Sequence, residues 1–250
     1  MITDIVFYVL AIPAVTFLGL SKGGFAGAGI VATPLLALYI PPLQAAAILL
    51  PIMLAQDAIS IWNYRRDWST WNVKVLTSGA VVGIGVAWLV AAYVSDNFVR
   101  ALVGLIGVTF VLNAWLRSPT TVQTQPTAAR GVFWGALAGF TSAMSQAGGP
   151  PFQAFVLPQR MAKMTLVGTN TIFFAAMNAL KVVPYFALGQ FSSEGLGISA
   201  VLLPVAVATN FLGIWLVRIT PTELFYRIAY WLVLAISLAL LWQGSRSLLG

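Results

Sequence analysis

The chain has 250 residues, 60% of them hydrophobic and 8% charged, with a mean hydropathy of +0.91. Soluble domains average about 25% charged residues, so a soluble domain is excluded and a polytopic membrane protein is implied. The net charge of +7 comes from basic residues scattered at segment ends, a pattern of loop topology rather than of nucleic-acid binding. Cysteine and histidine are both absent, which removes disulfides, thiolate metal sites, the usual proton shuttle and the commonest metal ligand.

Apolar segments run at 3–20, 25–40, 44–62, 73–94, 98–117, 131–144, 150–158, 165–188, 196–217 and 222–243. Crossing the hydrocarbon takes about 20 residues of helix. The segments from 44 onward in the first half and from 165 in the second reach that length. The shorter pieces flank two glycine-rich stretches. The first is Gly19-Leu-Ser-Lys-Gly-Gly-Phe-Ala-Gly-Ala-Gly-Ile-Val-Ala-Thr-Pro34, and an altered copy is Gly139-Phe-Thr-Ser-Ala-Met-Ser-Gln-Ala-Gly-Gly-Pro-Pro-Phe152. Glycine at this density weakens a helix, and broken backbone at membrane depth is tolerated only where protein or a polar cavity surrounds it. Interrupted segments at matching places in two halves point to a transporter's binding site.

The halves align at an offset of 121 residues near the glycine stretches, which sets Ala26-Gly27 on Ala147-Gly148 and Asp57 on Asn178. Charge placement gives their relative orientation. The 40–44 loop has no basic residue, whereas its counterpart at 158–164 carries Arg160 and Lys163. The next loop reverses the bias, with Arg65, Arg66 and nearby Lys74 in the first half and none at 188–195. Opposite bias at equivalent loops implies opposite orientation. The expected fold is therefore all-α: two inverted repeats, each a glycine-broken helical hairpin plus three transmembrane helices. The repeats span 1–117 and 131–250, and the polar stretch 118–130 is a cytoplasmic linker. Each hairpin enters and leaves on one side. That path puts Arg65, Arg66, Lys74, Arg117, Arg130, Arg160, Lys163, Arg218 and Arg227 on one face and leaves only Arg100 and Arg246 on the other. Both termini then lie outside. Trp62, Tyr64, Trp68 and Trp71 gather near Arg65 and read as an interfacial aromatic belt.

Three charged residues read as intramembrane. Lys22 sits in the first glycine break between Ser21 and Gly23-Gly24, and Asp57 and Lys181 lie within long segments. An ionisable residue in a span costs about 2.5–3.5 kcal/mol on insertion scales and marks a functional site by default. A short helix should restart after each break, with Pro150 or Pro151 suited to its first turn. Its free N–H groups and positive dipole end favour an anion. The expected small-anion site takes Ser21, Lys22, Gly23 and Gly24 from the first break and Ser145, Gln146, Gly148 and Gly149 from the second. Asn170 and Lys181 complete it from one stripe of the 165–188 helix, and Asp57 is the proton-coupling candidate. No catalytic set is present and no metal or cofactor site is expected, which argues against an enzyme. The expected partners are a small anionic substrate and the lipid bilayer, with self-association into a homo-oligomer left open. A passive anion channel and a non-transporting membrane scaffold are the alternatives, the latter using its glycines for close helix packing.

At these residues the chain resembles the sulfite exporter TauE/SafE family, also described as a toluene sulfonate uptake permease family. The likeness is carried by the twin glycine-rich stretches, the Thr33-Pro34 pair closing the first, and Gly168-Thr169-Asn170 after the second. Where the family carries a triple glycine, this chain reads Gly27-Ala-Gly29 and Gly148-Gly-Pro150. The resemblance implies a secondary transporter for sulfite, sulfonates or related organosulfur anions in the cytoplasmic membrane of a bacterium, proton-coupled and exporting.

Overall fold

The computed structural model describes residues 5–25, 28–40, 42–90, 93–116, 125–187, 189 and 191–249. Within them the chain is helical, with no strand. α1 (Ile5–Gly23) is followed by a 3-10 turn at Ala28–Val31, then α2 (Ala32–Ala37), α3 (Pro42–Tyr64), α4 (Thr70–Val90) and α5 (Asp96–Leu116). The second half repeats this order, one long helix, one short and three long. It runs α6 (Ala128–Ser145), α7 (Gly149–Val156) with a 3-10 turn at Leu157–Gln159, α8 (Lys163–Ala187), α9 (Ser193–Ile219) and α10 (Thr222–Leu249). Seven of these helices, α1, α3, α4, α5, α8, α9 and α10, hold stretches long and apolar enough to cross a membrane. Large side chains such as Trp88, Trp215 and Trp242 stand exposed on them, as lipid-facing residues do. The protein is a multi-pass membrane protein.

Of the expected linker at 118–130, residues 118–124 lie outside the described residues, as do Ala26 and Gly27 of the first glycine stretch. α6 starts inside that linker, because Thr127 caps it by accepting the Arg130 N–H. Serine does the same for two other helices. Ser69 Oγ accepts the Asn72 N–H at 3.3 Å before α4, and Ser192 Oγ accepts the Gly195 N–H at 3.0 Å before α9.

Two compact units emerge, and they cut across the sequence halves. One holds residues 1–68 and 170–221; the other holds 69–169 and 222–250. In the first, α1 packs along α9. A Cβ on Gly19 would overlap Thr209, and one on Gly23 would overlap the backbone of Asn210 and Gly213. In the second, α6 packs along α4 in the same manner. Gly79 and Gly83 lie on the backbone of Val132 and Ala136, and Gly135 and Gly139 on that of Leu76 and Ala80. Each of α1, α4 and α6 thus carries a Gly-x-x-x-Gly pair that lets backbones touch, the means by which helices associate where lipid removes the hydrophobic driving force.

Both short helices fold back on the long helix before them. Tyr39, just past α2, has its ring 5.9 Å from that of Phe7 at the start of α1. Phe155 near the end of α7 lies against Gly131 at the start of α6. The apolar core of the first unit, with Phe7, Leu36, Ile48, Leu49, Ile52 and Leu202, fills the space beneath the first of these turns.

Candidate functional site

Lys22 lies in the last turn of α1, beside its carbonyl end, and not within the break. The reason is packing. Gly19 and Gly23 are consumed in the contact with α9, so the helix continues through them and turns only at Gly24, whose φ of 136° suits glycine. The carbonyls orphaned at that end find side-chain donors on α3. Ser60 Oγ donates to the Lys22 carbonyl at 2.9 Å, and the Tyr64 hydroxyl donates to the Gly23 carbonyl at 2.6 Å. From α9, Asn210 Nδ2 donates to Ser60 Oγ at 3.0 Å. Tyr64 is fully buried and is no part of an interfacial belt, whereas Trp62 is 68% exposed and stacks under Arg65.

The Lys22 ammonium lies 2.6 Å from Asp57 Oδ1, with the two side chains 14% and 4% exposed. Asn178 Nδ2 donates to the other carboxylate oxygen, Oδ2, at 2.7 Å. The negative end of the α1 dipole adds to the stability of a cation at Lys22. Asp57 stands about 10 Å along α3 from Tyr64 at 1.5 Å per residue, so the pair is set inside the span. There a lone charge is costly and a paired one is tolerated.

α8 brings further polar groups to this unit. Asn178 and Lys181 share one face one turn apart, Lys181 is only 4% exposed, and it lies within electrostatic reach of both Lys22 and Asp57. Asn170 and Thr171 are buried higher on the same helix. The Asn170 Oδ1 and Thr171 Oγ1 atoms have no hydrogen-bond partner, nor has Gln56 Oε1 on α3. Acceptors left bare in an apolar interior are costly and available to a polar guest.

The second break belongs to the other unit. α6 ends at Gln146, in the left-handed conformation at φ 56°, with Ala147 N–H donating back to the Thr141 carbonyl at 3.2 Å. Gly148 follows, and α7 starts at Gly149 with Pro150 in its first turn, the restart that the sequence indicates. The Ser145 side chain lies outside the described set. On α7, buried Gln153 has an Oε1 without a partner. The same unit has a concavity of about 330 Å³ lined by Ser69, Asn72, Gln125, Gln159, Met161 and Thr165 among others, with Asn72 and Gln159 joined by reciprocal amide hydrogen bonds at 3.0 and 3.1 Å. It offers hydroxyls and amides but no cation.

The structure therefore gathers Ser21, Lys22, Gly23, Gly24, Asp57, Asn170 and Lys181 in one unit and Gln146, Gly148 and Gly149 in the other. Sequence reasoning missed Tyr64 and Asn210 as supports of the α1 end, and Asn178 as a partner of Asp57. The alignment of Asp57 with Asn178 was the signal for the last of these. Chemically, the arrangement is a part-buried ammonium–carboxylate pair flanked by amide and hydroxyl groups.

No curated protein and no solved structure matches the chain. The family described as sulfite exporter TauE/SafE matches residues 11–240. That match runs through both glycine breaks and every helix of the site, and the chain belongs to the sulfite exporter TauE/SafE family, whose members are membrane transporters and not enzymes.

Proposed function

We propose that the protein is a proton-coupled secondary transporter that moves small sulfur-containing anions, sulfite or sulfonates, across the cytoplasmic membrane of a bacterium. One observation carries the reading: the part-buried contact of Lys22 with Asp57 at 2.6 Å. An anion that takes Lys22 displaces Asp57, and a displaced carboxylate cannot stay charged cheaply in a span. A proton on Asp57 removes that cost. One monoanion loaded with one proton leaves the net charge of the site where it began, so the empty and loaded forms are equally tolerable inside the membrane. The coupled pair travels outward whenever the outward anion gradient exceeds the inward proton gradient, which is export from a cell that accumulates the anion. Both termini lie outside in this arrangement, and the two repeats are inverted. The doubling back of both short helices and the opposite charge bias of equivalent loops support that topology.

The test uses purified protein in proteoliposomes with a panel of sulfite, sulfate, taurine and sulfoacetate. Counterflow of at least one sulfur anion, with accumulation driven by an imposed pH gradient, is the expected result. Asp57→Asn should keep counterflow and lose the response to the pH gradient. Absence of flux for every member of the panel would sink the substrate, and unchanged pH-driven uptake in Asp57→Asn would sink the coupling role. The scaffold reading is favoured by the use of Gly19 and Gly23 for packing. It requires Lys22→Gln to be functionally silent, and the same vesicles decide that.

A further inference from the structure

We propose that Asn178 is the positioning residue for Asp57, and that the carboxylate can stand on either side of this pair. The inference rests on the reading of Asp57 as the proton-carrying group. Asp57 has two partners, Lys22 on Oδ1 at 2.6 Å and Asn178 Nδ2 on Oδ2 at 2.7 Å. The charged groups that face it are Lys22 from α1 and Lys181 from α8. α9 contributes the neutral amide of Asn210, and Arg218 at its far end is bound to Asn63.

The two partners differ in what they can do when the proton arrives. An ammonium has donors only. A carboxamide carries donors and an acceptor on one planar head. While Asp57 is ionised, Asn178 Nδ2–H donates to it. Once Asp57 is protonated, a half-turn of the amide presents Oδ1 to accept the new O–H. Asn178 is thus the partner that stays bonded through loading, when the anion has taken Lys22. It is 4% exposed, so water does not substitute for it, and a carboxyl group left without a partner there bears the full cost of a buried polar group.

The register adds a second, independent argument. Asn178 lies 121 residues after Asp57, the offset at which the two halves align around the glycine stretches. Corresponding positions of the two halves therefore touch each other. A position that meets its own counterpart lies where the two halves relate by exchange, and the ammonium stands on one side of the pair only, since the counterpart of Lys22 at this offset is Ala143. Acid and amide can then change places, with the amide at 57 bridging Lys22 to the acid at 178.

The experiment is a double-mutant cycle of Asp57→Asn, Asn178→Asp and the combined exchange, with Asn178→Leu as the truncation. Proton-driven uptake of sulfite or a sulfonate and the thermal unfolding midpoint of the purified protein are both measured. Asn178→Asp sets two acids against each other, and Asp57→Asn leaves none. Each single change and Asn178→Leu should lower uptake about tenfold or more. The exchange should exceed the product of the single losses by about tenfold, a coupling of about 1.4 kcal/mol, and should recover the unfolding midpoint. Additive losses in both measurements overturn the proposal. So does recovery of the midpoint without recovery of uptake, which would make Asn178 a packing partner only. Should the wild type carry no sulfur anion, the proposed substrate fails, and the unfolding midpoints alone still decide the pairing: coupled shifts support it and additive shifts overturn it.

Discussion

Tyr64 closes α1: its hydroxyl donates at 2.6 Å to the Gly23 carbonyl, the residue after Lys22, from a side chain with no exposed surface. A helix end buried in a membrane has no water to satisfy its last carbonyls, so α3 supplies the donors. Tyr64→Phe keeps the ring and removes the donor. The bare carbonyl should cost about 1–3 kcal/mol, a drop of about 2–12 °C in the unfolding midpoint for a chain of this size. An unchanged midpoint in detergent would show that the contact contributes nothing.

Lys22→Met should weaken sulfite or sulfonate binding about tenfold to a hundredfold, the worth of one charge-assisted hydrogen bond. Lys22→Arg should keep part of the affinity, since charge survives and shape changes. Lys22→Met also strands Asp57, a loss of about 3–5 kcal/mol for a buried pair broken on one side. Adding Asp57→Asn should restore stability without restoring affinity. Calorimetry on the three variants separates the two effects, and full affinity in Lys22→Met would remove this residue from the site.

Two glycines on one helix make an internal comparison. A Cβ on Gly83 would overlap the Ala136 carbonyl, whereas one on Gly85 meets nothing within 4 Å. Gly83→Ala should therefore destabilise by about 1–3 kcal/mol through overpacking. Gly85→Ala should stabilise by up to about 1 kcal/mol through helix propensity. Equal unfolding midpoints for the two variants would contradict the backbone contact between α4 and α6.

The side on which the central connection lies can be read with one engineered thiol, because the chain has no cysteine of its own. Gln125 is exposed just before α6. On the proposed topology, which gathers the basic residues on the cytoplasmic face, Gln125→Cys should resist an impermeant thiol reagent in intact cells and react after permeabilisation. Labelling from outside would reverse the proposed orientation.

Much of this architecture is legible in the sequence where the signal is local. Apolar length marks the spans, and Pro150 after Gly148-Gly149 marks the restart of α7. The end of α1 was not legible, because glycine that breaks a helix and glycine that packs it look alike. What separates them is Gly213, far along the chain, lying on Gly23. Tyr64 was hidden among aromatic neighbours. Its spacing from Asp57 and Ser60 sets it on the face that α3 turns to α1, and that is the signal that distinguishes it from Trp62. For the site, Lys22, Asp57 and Lys181 were visible as costly residues, but which two would meet depends on how the helices cross.

The packing of α1 on α9 has a consequence for biosynthesis. Gly23 and Gly213 are separated by roughly 190 residues, which a ribosome working at about 5–20 residues per second takes about 10–40 s to add. Through that interval the glycine seam of α1 faces lipid or the insertion machinery; Lys22 can meet Asp57 on α3 early, but the seam and the Asn210 support wait until α9 has left the ribosome. α6 meets α4 without such a delay, since its partner is already made. The nascent protein is therefore lopsided, one glycine seam closed early and the other held open almost to the end of translation.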